Sequence, residues 1–213
     1  MTSLLQNSSV QSATDLPCDC TLALAFPLSR DEFFHSAESE PEDGFIRSWI
    51  RRYPGYPLED LWIDFAPIAH YASDLARVAA EELGVHVLRD PNVASWADAL
   101  STRRVTTLFA HWSVRDDQDF IQFAGGFVSS CDCAESVPNP FYGVLDMTVC
   151  CSTRLIKAVK SRRPKCTVIA NRNSASLNIR LAIYRQALRL LATRQYSFVD
   201  AMLKIHSSGL EVL

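Results

Sequence analysis

Short apolar runs recur along the chain with amphipathic stretches between them, and this alternation constrains the fold more than any other feature of the sequence. TLALAF (21–26, closed by Pro27), VHVL (85–88), VTTLFA (105–110), GVLDMTVC (143–150) and CTVIA (166–170) have the length and apolar content of buried strands. Helices are predicted between them. From Pro67, PIAHYASDLARVAAEELG carries Ile68, Tyr71, Ala72, Leu75, Val78, Ala79 and Leu83 at helical spacing and stops at Gly84. SWADAL (95–100) reads as a short helix capped by Ser95, Thr153 to Lys160 as another, and the stretch from ASLNIRLAIYRQALRLL onward as one or two long ones. Strands alternating with helices imply an α/β fold, with a mainly parallel central sheet of about five to six strands covered by helices on both faces.

Between these elements the pattern is weaker. Residues 1–16, rich in Ser, Thr, Asn and Gln without periodicity, read as a flexible N-terminal tail, leaving 17–213 as a single domain. Residues 29–57 combine an acidic patch (Glu38, Glu40, Glu42, Asp43) with FIRSWIRR and PGYP, which suggests a loop, a short helix and a second loop. IQFAGGFV reads as a hairpin or bent segment, with Gly125 and Gly126 as a turn and not a phosphate loop, since no Lys-Ser/Thr or helix start follows.

Charge and cysteine content narrow the function classes. With 21 basic and 24 acidic residues the formal charge is −3, so no strong field draws nucleic acid or anionic lipid. No run approaches the ~18 apolar residues a membrane span needs, and the N-terminus has no basic segment before an apolar one. A cytoplasmic protein is expected. Seven cysteines, an odd number without an export signal, are expected to be thiols and not a disulfide framework. The pairs Cys18/Cys20 and Cys131/Cys133 are spaced too tightly for a zinc knuckle, and His35, His70, His86 and His206 lack partner spacing, so neither metal nor cofactor is expected.

In an open parallel sheet, reactive groups collect past the carboxyl ends of central strands, where loops leave the core. VTTLFA runs into His111-Trp112-Ser113, and GVLDMTV runs into Cys150-Cys151-Ser152. A thiol there, feeding a helix, lies near backbone N–H groups and the positive end of the dipole, which favours the thiolate. His111 on the neighbouring strand end could polarise the thiol or protonate a leaving amine. Backbone N–H groups at Cys150 and Trp112 could hold the oxyanion. Acyl transfer is the chemistry this set serves.

At these residues the sequence resembles the caspase-like cysteine peptidases, and among them the CHAT group. VTTLFAHWS and VLDMTVCCS match the family's strand-His and strand-Cys order, 39 positions apart, and RLAIYRQALRLL followed by YSFVDAML resembles the helical close of a CHAT domain. The resemblance covers residues 65–205. It implies a caspase-like sandwich and a regulated cysteine endopeptidase with a His111–Cys150 dyad, acting on a protein partner in a defence or cell-death type pathway. Trp112 stands where the family has Gly, and Cys151 is the alternative nucleophile. Family members that cut after basic residues place a carboxylate at the base of the specificity pocket; Asp146 and Asp132 are the candidates here.

Two rival readings follow from the same residues. One is a pseudopeptidase that keeps the fold only as a protein-binding module, with Trp112 crowding the channel. In the other, an unrelated α/β hydrolase or binding module, His111 and Cys150 belong to the core. The length of the 29–57 insertion suggests a lid or partner surface, and with it a chain of low activity until an activating protein partner orders the cleft.

Overall fold

The computed structural model describes residues 15–147, 153–171, 176–205 and 210–212. Its centre is a six-stranded sheet made of β1 (Cys20–Ala25), β2 (His86–Arg89), β3 (Val105–Ala110), β7 (Val144–Asp146), β8 (Thr167–Asn171) and β9 (Leu210–Val212). The strands lie in the order β2-β1-β3-β7-β8-β9. The first five are parallel and β9 closes the edge antiparallel to β8. The fold is therefore the α/β class that the alternation predicts, a helix-flanked parallel sheet consistent with a caspase-like sandwich.

Side chains of a strand alternate between faces, and β1 shows how that builds two cores. Cys20, Leu22 and Leu24 join Val105, Phe109 and Ile169 on one face, against α3 (Leu58–Glu81), α7 (Leu177–Ala192) and α8 (Phe198–Ile205) through Phe65, Leu75, Leu181, Tyr184 and Phe198. Ala23 joins Leu108, Leu145 and Val168 on the other face, against α4 (Val93–Thr102), α5 (Ser130–Glu135) and α6 (Thr153–Arg162) through Trp96, Ala134, Leu155 and Val159. Cys20 and Cys133 thus sit in separate clusters, and the two Cys-x-Cys pairs do not converge on one site.

Several boundaries differ from the sequence reading, each for a local reason. α3 begins at Leu58, behind Pro57 and with Glu59 and Asp60 in its first turn, so Pro67 lies inside the helix and does not open it. The carbonyl of Ile63, which Pro67 leaves without its helical donor, belongs to a residue 65% exposed, where water can serve it. α4 is capped by Asn92, whose Oδ1 accepts the Ser95 N–H at 2.8 Å; Ser95 is capped and is not the cap. Residues 29–57 form α1 (Arg30–Ser39), capped by Ser29, and α2 (Phe45–Arg52), with Phe33, Ala37 and Ile46 buried. That segment packs against the domain core.

A second sheet, absent from the sequence reading apart from its hairpin, grows from the end of β3. β4 (Trp112–Arg115), β5 (Gln118–Phe123) and β6 (Gly126–Ser129) form an antiparallel meander. Asp116 and Asp117, both at positive φ, make the first turn; Ala124 and Gly125, the latter at φ 86°, make the second, and Gly126 opens β6 at φ 128°. Of the expected tail, residues 1–14 lie outside the described residues. Asp15 is buried, and its carboxylate accepts the Phe198 N–H at 2.9 Å. Among the described residues no helix is long and apolar enough to cross a membrane.

Candidate active site

His111 occupies the single position between β3 and β4, where the chain leaves the parallel sheet for the meander. Its carbonyl accepts the Gln122 N–H at 2.9 Å, which pins the backbone to β5. Its ring lies between Phe45 and Phe127, with centroids 5.8 and 6.3 Å away. The ring Nε2 stands 3.0 Å from the carbonyl oxygen of Asp43. A carbonyl only accepts, so Nε2 carries the hydrogen, and in the neutral ring Nδ1 then keeps its lone pair. Burial lowers the His111 pKa below the ordinary imidazole value of 6.5; the Asp43 carbonyl and charge oppose this, and the Arg52 charge adds to it. Burial thus favours the neutral imidazole, in the tautomer that the Asp43 carbonyl selects.

A clamp that sequence reasoning missed holds the Asp43 carbonyl in place. The Asp43 carboxylate accepts a two-pronged bond from the Arg115 guanidinium and the Ser113 hydroxyl at 2.7 Å. Burial raises its pKa, but the Arg115 and Ser113 bonds outweigh this and leave it below the usual carboxylate value. Beside it, Glu40 accepts the Ile46 N–H at 2.8 Å and the Gln122 side-chain amide at 2.9 Å, while Gln122 Oε1 accepts the Phe45 N–H at 2.9 Å. Glu40 and Asp43, read from sequence as an acidic patch, therefore tie α2 to the meander. Gly44 permits this, since a Cβ there would meet Glu40 Oε2 at 2.5 Å and Glu40 Cβ at 2.8 Å. No local pattern announces the bonds to Ser113, Arg115 and Gln122, because their partners lie 70 or more residues apart.

Trp112 is half-buried and follows His111 on the edge strand of the meander. The Gln122-to-His111 bond makes 111/122 a hydrogen-bonded pair, so by the alternation of an antiparallel ladder 112/121 is a non-bonded pair. The Trp112 N–H accordingly points away from β5.

A cavity of about 670 Å³ opens beside His111, lined among others by Phe45, Trp49, Arg52, Trp112, Asn178 and Arg180. Asp146 and Asp132 are not among the described residues that line it. Asp146 ends β7, buried, and accepts the Thr107 hydroxyl at 3.2 Å. Asp132 is exposed in the first turn of α5, where it and Ser129 form a reciprocal cap: its N–H donates to Ser129 Oγ at 3.1 Å and its Oδ2 accepts from that hydroxyl at 2.7 Å. Cys150 and the alternative Cys151 lie outside the described residues, in sequence between β7 and α6. Among the described residues no group of three His, Cys, Asp or Glu converges to hold a metal ion.

Arg180 was also missed. It falls on the apolar face that Leu177, Leu181 and Tyr184 set out at helical spacing in α7, and a cation at a core-facing position was the available signal.

No family model and no curated protein matches the chain. The functional reading rests on the residues themselves.

Proposed function

We propose that the chain is a cysteine endopeptidase in which His111 is the base and Cys150 the nucleophile. The observation that carries this reading is the state of His111: neutral, with Nε2–H spent on the Asp43 carbonyl and Nδ1 left to take a proton, at the mouth of a cavity past the end of β3. In the reaction, His111 Nδ1 accepts the Cys150 Sγ proton as the sulfur attacks the scissile carbonyl carbon. The carbonyl π electrons move to oxygen, where the N–H groups of Trp112 and Cys150 receive the charge. Collapse expels the amine, which takes the proton from His111, and water then hydrolyses the thioester.

The substrate is a protein partner, and a second protein that engages the cavity mouth is the activator, with the α1–α2 segment as the surface nearest the base. The rival reading, a protein-binding module that cuts nothing, draws on Trp112, whose side chain shares the cavity with His111. Incubation with a proteome and mapping of new chain ends separates the two. Cleavage that disappears in His111→Ala and in Cys150→Ala, yet persists in Cys151→Ala, supports the peptidase. Unchanged cleavage in Cys150→Ala, or none under any condition, refutes it.

A further inference from the structure

The two ends of β3 carry different surfaces. His111 follows its last residue, Ala110, whereas Arg103 and Arg104 precede its first, Val105, and line a second groove of about 530 Å³ at the opposite end of the sheet. The six extended residues between them span roughly 20 Å at ~3.3 Å per residue. Pro138, Pro140 and Tyr142 form the facing wall, and no Asp or Glu among the described residues lines the groove. Its walls are fixed from behind. The Arg163 Nε–H donates to the carbonyls of Val137 and Pro138, both at 2.8 Å, and the Val144 N–H donates to the Arg104 carbonyl at 2.7 Å. Gly143 lets these segments meet, since a Cβ there would collide with the Arg104 carbonyl and the Phe141 ring.

The charges around this groove are not used up by the fold. The Arg103 guanidinium makes no hydrogen bond or ion pair among the described residues. Lys165 Nζ stands 5.2 Å over the ring of Tyr142, which is 64% exposed, and it too has no acid partner there. Arg104 lies 3.6 Å from Asp15, but that carboxylate is buried and also accepts the Phe198 N–H, while Asp19 accepts the Leu16 N–H at 2.9 Å. Three cations thus flank one groove in a chain whose net charge is −3, and their local positive potential attracts an anionic partner.

The backbone decides which kind of anion. α4 ends at Thr102, so the negative end of its dipole faces this side, and the N–H groups of Arg103 and Arg104 are taken by the carbonyls of Ala99 and Asp19 at 3.0 and 3.1 Å. Compact phosphates are cradled by backbone N–H groups at helix starts and nests, and these are engaged. The donors that remain are long side chains set along a groove with prolines and a tyrosine on its wall. They suit carboxylates strung along an extended peptide.

We propose that this groove docks an acidic segment of a protein partner, with Arg103 and Lys165 meeting its carboxylates and Tyr142 packing against the apolar stems between them. The inference goes beyond the endopeptidase reading and stands whether or not the chain cuts, because it assigns a second contact on the partner, at the far end of the sheet from His111.

The test is a calorimetric titration of the full chain with two blocked octapeptides, one alternating glutamyl and alanyl residues and one with glutaminyl in place of glutamyl. The wild type, Arg103→Gln, Lys165→Gln, their double variant and Arg52→Gln are compared, with thermal denaturation confirming that each is folded. The wild type should bind the glutamyl peptide about tenfold or more tightly than its neutral analogue at low salt, and the preference should shrink as salt rises. Each single variant at the groove should lose part of that preference and the double variant should lose it, whereas Arg52→Gln, in the cavity beside His111, should keep it. No binding of the glutamyl peptide, equal binding of the two, or a preference that survives the double variant overturns the proposal. So does a preference lost in Arg52→Gln, which would place the peptide in the other cavity. Parallel titrations use inorganic phosphate and a single-stranded decathymidylate; if either binds more tightly than the glutamyl peptide and loses that binding in the double variant, the groove serves a phosphate or a nucleic acid and the proposal falls.

Discussion

The Nε2–H of His111 donates to the carbonyl oxygen of Asp43 across 3.0 Å, joining the end of a central strand to a loop 68 residues earlier in the chain. That bond fixes the tautomer of the proposed base. It also makes the base depend on how firmly the loop is held, and the Arg115 and Ser113 bonds to the Asp43 side chain do the holding.

The clamp should therefore matter to activity out of proportion to its stability. Asp43→Ala and Arg115→Met are each expected to lower kcat/KM by about 10- to 100-fold, roughly 1.4–2.7 kcal/mol of transition-state stabilisation. Their effect on stability should stay near ~1 kcal/mol, because both side chains are about a third exposed and solvent screens the pair. The double variant should be little worse than either single one, since the two residues act as a unit. Additive losses, with a hundredfold or greater further fall in the double variant, would show that the clamp is not one device.

Acid should act on the same histidine. With the folded pKa of His111 below the ordinary 6.5, the unfolded chain binds more protons between the two values, so stability rises with pH across that window. The contribution is complete above about pH 6.5 and is lost as pH falls through the folded pKa. Urea midpoints from pH 7.5 down to 5 should fall less steeply in His111→Gln than in the wild type. The acidic limb of kcat/KM should lie below pH 6.5 and move upward in Arg52→Gln, which removes a charge that disfavours the imidazolium. Identical slopes in wild type and His111→Gln would refute the assignment.

Gly44 offers a separate test of how α2 is set. A methyl group there meets Glu40 Oε2, Glu40 Cβ and the Pro41 carbonyl at 2.5, 2.8 and 3.0 Å. Gly44→Ala should cost about 1–3 kcal/mol, read as a fall in Tm of roughly 3–10 °C by thermal denaturation. Backbone entropy alone predicts a small stabilisation for the same change, so a rise in Tm would mean that Glu40 moves aside freely.

What the sequence revealed and what it hid divide along the range of the interactions. β1, β3 and β8 were legible because each is a short run buried on both faces, and α7 because Leu181, Tyr184 and Leu188 repeat at helical spacing. The start of α3 was misplaced because Pro67 looks like a helix opener, whereas solvent at Ile63 allows it inside. The β4–β5 hairpin was missed because Asp116-Asp117 takes the place of the usual Asn-Gly turn. His111 was found by its strand-end position. The Asp43 carbonyl that orients it was not, since a backbone group carries no signal in the side-chain alphabet and meets the ring only after α1 and α2 have packed.

The cysteines allow the central claim to be tested without a substrate. Burial first, with the Asp132 charge, pushes the Cys133 thiol up to about 12; burial pushes Cys166 up to about 11, and Cys20 higher still. Those three should resist alkylation in the folded protein, leaving Cys18 and Cys131 as exposed thiols of ordinary access. The most direct measurement is the rate at which iodoacetamide labels each cysteine at pH 7, resolved by peptide mass spectrometry, in the wild type and in His111→Gln. If His111 is the base for Cys150, Cys150 labels faster than Cys18 and Cys131 in the wild type and slows about tenfold or more in the variant, while those two do not change. A Cys150 rate that is indifferent to His111, or fast labelling confined to Cys151, would contradict the account.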